Sequence, residues 1–325
     1  MRSAIRPMPC VRHSATVEST VRGAGIDNYR AEVRVLDLPE PVLLSPEHVL
    51  IDVQCAGVGN WDDIVRSGGW NIGCAPPMAL GVEAAGIVRD IGPAVTRFRV
   101  GDAVLAHAMP VQQGAWAERW VALESQVAHK PVEVAWTVAA ALPVPALTAH
   151  QVLDNALGLQ PGETVLVHGA GGITGGLLVS LAADVGATVI GTAGPRNTDR
   201  LMQLGAADVV DYHAADWPER VRKLCPGGLP AAVNAVRGQA GLIMPLVASG
   251  GRLATITGDP PLEVRGIRIS NCYVQPDGRA LEQVATRLAH QRVSIPLAAT
   301  YPLFDAAAAL ARVVSGSGPV VLEVR

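Results

Sequence analysis

The chain has 325 residues, 49% of them hydrophobic and 17% charged, with a formal net charge of −3. That length suits two cores rather than one, and the charge balance leaves no basic footprint for nucleic acid or an anionic membrane surface. The longest apolar stretch, Val138 to Ala149, is too short to span a bilayer and is broken by Pro143 and Pro145.

Residues 1–20 contain arginines but no apolar h-region, so they read as a disordered extension and not as a secretory signal. The five cysteines, Cys10, Cys55, Cys74, Cys225 and Cys272, are odd in number and scattered. They form no disulfide framework and no CxxC metal site, which points to a reducing, cytoplasmic setting.

From about Glu32 to Val127, short β-like runs stand between Gly and Pro punctuation, as in Val49–Val53, Ala85–Val88 and Ala103–Leu105. Even spacing with few helices predicts a barrel-like β domain over residues 1–130. Trp136 to Leu157 reads as helical, interrupted by Pro143 and Pro145. A strand–loop–helix unit follows. Thr164–Val167 is a continuous apolar run, as in a parallel strand buried on both faces. His168 to Gly175 is the loop, and Ile173, Leu177, Leu178, Leu181, Ala182 and Val185 recur at helical spacing up to a capping Gly186. Further strands are expected at Thr188–Gly191, Asp208–Tyr212, Ala231–Asn234 and Arg252–Ile256. Strands alternating with helices predict a doubly wound parallel sheet over residues 131–275. Two helical stretches and a last strand, Val320 to Val324, follow over 276–325 and are expected to return to the first domain.

Ala170-Gly171-Gly172-Ile173-Thr174-Gly175 matches the dinucleotide fingerprint with Ala in the first glycine position. It follows a buried strand and opens a helix, the context that gives such a loop meaning. Gly172 would let the backbone approach a pyrophosphate, and Gly175 would let helix and strand pack closely. The second strand ends in Thr192-Ala193-Gly194-Pro195-Arg196, with no acid before Asp199. Arg196 suits a 2′-phosphate, so NADP(H) is expected over NAD(H); the bland alternative is a solvated loop arginine. Thr255, Thr257 and Gly258 follow a strand at the ligand-binding end of such a sheet.

These stretches, with Ala56-Gly57-Val58-Gly59-Asn60-Trp61-Asp62-Asp63, Leu80-Gly81-Val82-Glu83, Gly114-Ala115-Trp116 and Ala146-Leu147-Thr148-Ala149, stand in an order that resembles the zinc-free quinone-oxidoreductase branch of the medium-chain dehydrogenase/reductase superfamily. The resemblance runs from about Val35 to Glu323. It implies an α/β chain with a GroES-like β-barrel domain, a Rossmann domain and a cleft between them. It implies hydride transfer from NADP(H) to a small electrophilic substrate, a quinone or an activated C=C bond. It also implies a homodimer pairing through the last Rossmann strand, here Ile267 to Val274. Metal-using relatives carry ligands where Gly59 and Val82 stand, and neither residue can ligate, so no metal is expected.

By the same resemblance Asn60, Trp61 and Asp63 line the cleft beside the nicotinamide, Thr148 approaches its end, and Tyr212 contacts the adenosine. Each has a bland counterpart. Asn60 and Asp63 could cap a turn, Thr148 could be helix-interior, and Tyr212 could be half-buried packing. Trp61 and Trp70 could form an aromatic wall or simply pack the core. Asp62 or Asp63 could supply a proton if desolvated. The rival functions are a zinc-free carbonyl reductase or alcohol dehydrogenase, and a protein that binds NADPH without turnover.

Overall fold

The computed structural model describes residues 19–293, 295–316 and 318–325. Most of the expected N-terminal extension, residues 1–18, lies outside the described residues. The first half runs β1 (Thr20–Ile26), β2 (Arg34–Pro39), β3 (His48–Val58), α1 (Asn60–Arg66), β4 (Met78–Ala79), β5 (Glu83–Ile91), β6 (Ala103–His107), β7 (Arg119–Leu123) and β8 (Val127–His129). Strand β1 was not anticipated: it begins inside the expected extension and pairs antiparallel with β2 and β4.

The middle of the chain runs α2 (Trp136–Ala140), α3 (Pro143–Gln151), β9 (Thr164–His168), α4 (Ile173–Val185), β10 (Thr188–Thr192), α5 (Thr198–Gln203), β11 (Asp208–Val210), α6 (Trp217–Leu224), β12 (Leu229–Asn234), α7 (Ala240–Ile243), β13 (Val247–Thr255) and β14 (Arg268–Asn271). The end is α8 (Gly278–His290), β15 (Ala299–Pro302), α9 (Ala306–Val314) and β16 (Val320–Glu323).

Among the described residues these strands form three sheets. One is the small β2-β1-β4 sheet. The second, β15-β16-β3-β5-β6-β8 with β7 paired to β3, curls around a core holding Trp116, Trp120, Phe98 and Ile51. The chain re-enters this sheet at its end, where β16 pairs antiparallel with β3. The third is parallel, in the order β11-β10-β9-β12-β13-β14. Its central strands β9, β10 and β12 are largely apolar because both faces are covered, while the edge strand β14 is exposed. Val165, Val167, Val189 and Val233 pack with α3, α4 and α8 on one face, while Leu166, Ile190, Ala232 and Leu253 pack on the other. The first of these cores also takes in Ala85, Leu105 and Ala128 of the barrel, so one apolar mass joins the two large sheets.

Three expectations need correction. Pro143 and Pro145 do not interrupt a helix; the break falls at Ala141–Leu142, and both prolines sit in the first turn of α3, where a missing N–H costs nothing. The strand expected over Asp208–Tyr212 ends at Val210, and Asp211 turns to accept from His213. The last Rossmann strand is shorter than Ile267–Val274, spanning Arg268–Asn271, and it is the edge of its sheet.

Helix α8 shows how little local sequence is needed once a face is apolar. Leu281, Val284, Ala285 and Leu288 recur at one-turn spacing and are buried. Asp277 caps its start, accepting from the Ala280 amide at 3.0 Å. Gly81 is the opposite case, a residue dictated by its surroundings. It holds φ +91°, and a Cβ there would stand 2.3 Å from the Trp116 ring. Gly81→Ala is expected to destabilise the protein by about 3 kcal/mol or more, read as a lowered midpoint in urea unfolding.

Candidate functional site

The parallel register brings one polar residue from each of four adjacent strands into a line. Thr192 pairs with His168, His168 with Asn234, and Asn234 with Thr255. All four are buried at the carboxyl end of a sheet that is otherwise apolar. Buried polar side chains need partners, and these have them. His168 Nε2 lies 2.8 Å from the Gln239 carbonyl oxygen, so that nitrogen donates, and Nδ1, 2.7 Å from Thr192 Oγ1, accepts from the hydroxyl. Burial holds the His168 pKa below its usual value, which keeps the ring neutral as this pattern requires; the Gln239 bond works the other way. The ring stacks on Trp217 with centroids 5.1 Å apart.

Further along the row, Asn234 donates to Thr255 at 3.2 Å, and Thr255 and Thr257 both donate to Asp259. Burial would raise the Asp259 pKa, but the threonine hydroxyls and the Gly238 and Ala240 amides outweigh it and hold it low. Thr255 and Thr257 are therefore brought to the expected edge, with Gly258 exposed beside them, and their hydroxyl hydrogens are already engaged. Asp259, His168 and Gln239 were missed by sequence reasoning, because a polar residue at a strand end carries no local mark of function.

The Gly-rich loop sits between β9 and α4, at the point where strand order reverses from β9 to β12. A Cβ on Gly175 would lie 2.2 Å from the Gly169 carbonyl oxygen, and one on Gly169 would lie 2.7 Å from Val236 Cγ2. The tight approach at the first turn thus falls on Gly169 rather than on Ala170, which is buried behind it. Helix α4 has Gly172 as its cap residue and no side-chain cap, leaving its first amides for an anion. Ala170, Gly171, Gly172, Ile173, Thr174 and Gly175 together make a cradle that fits a dinucleotide pyrophosphate.

The flanks differ from expectation in detail. Arg196 lies exposed on a 3-10 turn, Pro195–Asn197, just beyond β10. Arg200, one helical turn on, instead donates to the Gly171 carbonyl at 2.8 Å and stands 2.6 Å from where a Gly176 Cβ would be. It braces the loop from behind. Tyr212 is 47% exposed and stacks on His213, whose ring overhangs Gly194. Both therefore border the same turn as Arg196.

The second cluster lies where β3 ends. Asn60 is exposed at the first position of α1, and Asp63 is tied to Arg66 at 2.8 Å near the surface. The buried acid is Asp62, whose Oδ2 accepts from the Gly59 amide at 2.8 Å across the first turn of α1. Burial raises the Asp62 pKa to about 7, against the bond from the Gly59 amide and the nearby Gly81 amide, which comes close without making a hydrogen bond. Glu83, also buried, accepts from the Val144 amide at 2.7 Å. Burial pushes its pKa well up, the Val144 bond opposes, and Asp62 adds to the rise. On the paired strand His107 is fully buried, its Nδ1 3.0 Å from the Val82 carbonyl, and burial drives its pKa down to about 4. Thr148 lies one turn beyond Val144 on α3 and donates to its carbonyl at 2.7 Å. Trp61 and Trp70 are half-buried and pack on the barrel core.

Gly59 and Val82 offer no ligand, and a Cβ on Gly59 would lie 2.0 Å from the Trp61 indole, which fills that space. Among the described residues no group of three His, Cys, Asp or Glu could hold an ion.

A buried acid with a raised pKa has a thermodynamic signature. The folded protein holds the Asp62 proton more tightly than the unfolded chain between the ordinary value of 3.8 and about 7. Stability must therefore fall as pH rises through that window, by at most about 4 kcal/mol. Asp62→Asn is expected to be more stable than wild type above pH 7, with no such gain below pH 4, in denaturant titrations at the two extremes. Glu83 contributes with the same sign, so a residual slope should persist in the variant.

Family models match the chain in two segments: an alcohol dehydrogenase GroES-like domain at residues 45–132 and a zinc-binding dehydrogenase at 204–319. A synaptic vesicle membrane protein VAT-1 homolog of Danio rerio is 32% identical over 66% of this chain. The match spans 43 to 63% of the lengths of that relative and the next two. The quinone oxidoreductase of Mus musculus is 27% identical, over 87% of this chain and 89% of its own. Of the solved structures, the quinone oxidoreductase of Pseudomonas syringae pv. Tomato DC3000 superposes with a TM-score of 0.82 at 26% identity, over 94% of this chain and 100% of the other. An NAD-dependent alcohol dehydrogenase gives 0.82 at 27%, and a mycobacterial protein solved with NADPH gives 0.80 at 26%, each over the same shares. With a GroES-like barrel, a parallel Rossmann-like sheet and these relatives, the chain belongs to the medium-chain dehydrogenase/reductase superfamily, beside its quinone oxidoreductases.

Proposed function

We propose that this protein is an NADPH-dependent, zinc-independent reductase that delivers hydride to a quinone or an α,β-unsaturated carbonyl compound. The observation that carries the reading is the Trp61 indole standing where a metal ligand at position 59 would have to be. With no Lewis acid to lower an alcohol's pKa, oxidation of simple alcohols is disfavoured, whereas an electron-poor acceptor is already activated. The likeness to quinone oxidoreductases supports the same acceptor class.

The bound dinucleotide supplies the hydride. The chain's own residues bind and orient it. The loop Ala170–Gly175 and the open end of α4 take the pyrophosphate. Thr192 and Thr255 hold the loops around it in register. The absence of an acid between Thr192 and Arg196, and the exposure of that arginine beside Tyr212, favour a 2′-phosphate. Asn60, Trp61 and Thr148 stand at the barrel side of the cleft and shape the acceptor's place. The pairing edge of β14 suits a homodimer, and among the described residues no helix is long and apolar enough to cross a membrane.

The test is NADPH and NADH oxidation against quinones, enones and enoyl thioesters, with NADPH binding followed by fluorescence. NADPH consumption with one acceptor class, and much poorer use of NADH, is the expected result. Binding without turnover on the whole panel would overturn it. In Arg196→Ala the preference for NADPH over NADH is expected to fall about tenfold or more, since one charge-assisted bond to the phosphate is lost. An unchanged preference would remove Arg196 from the phosphate site.

A further inference from the structure

The cluster behind α1 contains more polar groups than its hydrogen bonds use. Asp62 Oδ1, His107 Nε2 and Trp61 Nε1 are each buried and meet no partner in the protein. Asp62 and Trp61 come from α1, and His107 comes from β6, where it pairs in register with Glu83 of β5. Leaving three polar atoms dry would cost several kcal/mol in all. A site lined in this way takes water. Gly57, whose own Cβ would lie 2.5 Å from Glu83 Oε1, leaves the room for the acid.

The ionisable groups on the elements packed here are few. On α1, Asp63 and Arg66 neutralise each other near the surface. Glu83 comes from β5 and His107 from β6. Asp305 and Arg312 belong to the neighbouring α9. No cation acts appreciably on Asp62 or Glu83, and the charge of Asp62 opposes ionisation of Glu83. Two buried carboxyls without a cation do not both ionise readily.

We propose that the buried carboxyls Asp62 and Glu83 keep a proton at neutral pH and give it to the acceptor after hydride transfer, through water bound at the partnerless atoms of Asp62, His107 and Trp61. This rests on the reductase reading. The balance is simple. The acceptor carbon or quinone gains the hydride and with it an electron pair, the nicotinamide is left oxidised, and the resulting enolate or hydroquinone anion forms a bond to the proton. The carboxyl O–H bond is the one that breaks, and the carboxylate is reprotonated from solvent water. His107 stays neutral and relays rather than stores charge. Glu83 has a second task, since its bond to the Val144 amide fixes the start of α3 and so the height of Thr148.

The pair can be read without turnover. Infrared difference spectra of the wild-type protein between mildly acidic and alkaline buffer should show a carboxylic-acid C=O band lost as pH rises, and Asp62→Asn or Glu83→Gln should alter that band. In steady state, kcat should fall as pH rises through the range of the band. Asp62→Asn removes the charge that opposes ionisation of Glu83, so the acid band that remains should be lost at lower pH than in wild type. Asp62→Asn should lower kcat about 100-fold, with the KM for NADPH within about twofold. A wild-type protein with no acid band at neutral pH overturns the proposal, as do variants that keep the wild-type limb and a kcat within about twofold. If the wild type reduces no acceptor, the reductase reading falls with its proton step, while the band still decides whether the buried carboxyls keep a proton.

Discussion

Four parallel strands end at the same edge, and their hydrogen-bonded register leaves no freedom in which residues meet there. Thr192, His168, Asn234 and Thr255 stand side by side because the strands that carry them are locked by backbone bonds along their whole apolar length. A slip of one residue would turn every one of these side chains to the other face. The two loops that flank the crevice are then tied by Gln239 to His168 and by Asp259 to Thr255 and Thr257. The apolar sheet interior thus determines the polar site, and each is meaningless without the other.

The two halves of the molecule are joined by a shared core and by polar bonds across it, from Glu83 to α3 and from Arg97 and His129 to Glu282 of α8. The apolar mass that covers one face of the parallel sheet runs on into Ala85, Leu105 and Ala128 of the barrel. Dispersion and burial give that junction its strength but little direction. Direction comes from Glu83, which reaches from the barrel to the first turn of α3 and satisfies an amide that the helix cannot satisfy itself. The cost is a buried acid whose ionisation the charge of Asp62 opposes.

Much of the architecture was legible in the chain. The continuous apolar run at Thr164–Val167, the glycines after it and the spacing of Leu177, Leu178 and Leu181 are local signals, and the structure has strand, loop and helix there. What escaped was whatever depends on partners distant in sequence. Strand β1 exists because β2 and β4 pair with it, and its own pattern is weak. Asp62 and Asp63 look alike in sequence, and only the fold buries the first while giving the second to Arg66. Arg200 is indistinguishable from Arg196 until the chain curls back to Gly171. One local sign was available: an acid three residues after Gly59 is where a helix's opening turn accepts back from its cap.

The Trp61 indole over Gly59 also bears on how such a site can change over generations. A cysteine at position 59 would collide with the ring before it could bind anything, and a smaller residue at position 61 alone would open a void with no ligand to fill it. Either step taken first is harmful. The packing of one aromatic side chain therefore acts as a ratchet: a lineage carrying it reaches a metal site only by coordinated substitutions at positions 59, 61 and 82, and drift by single changes keeps it where it is.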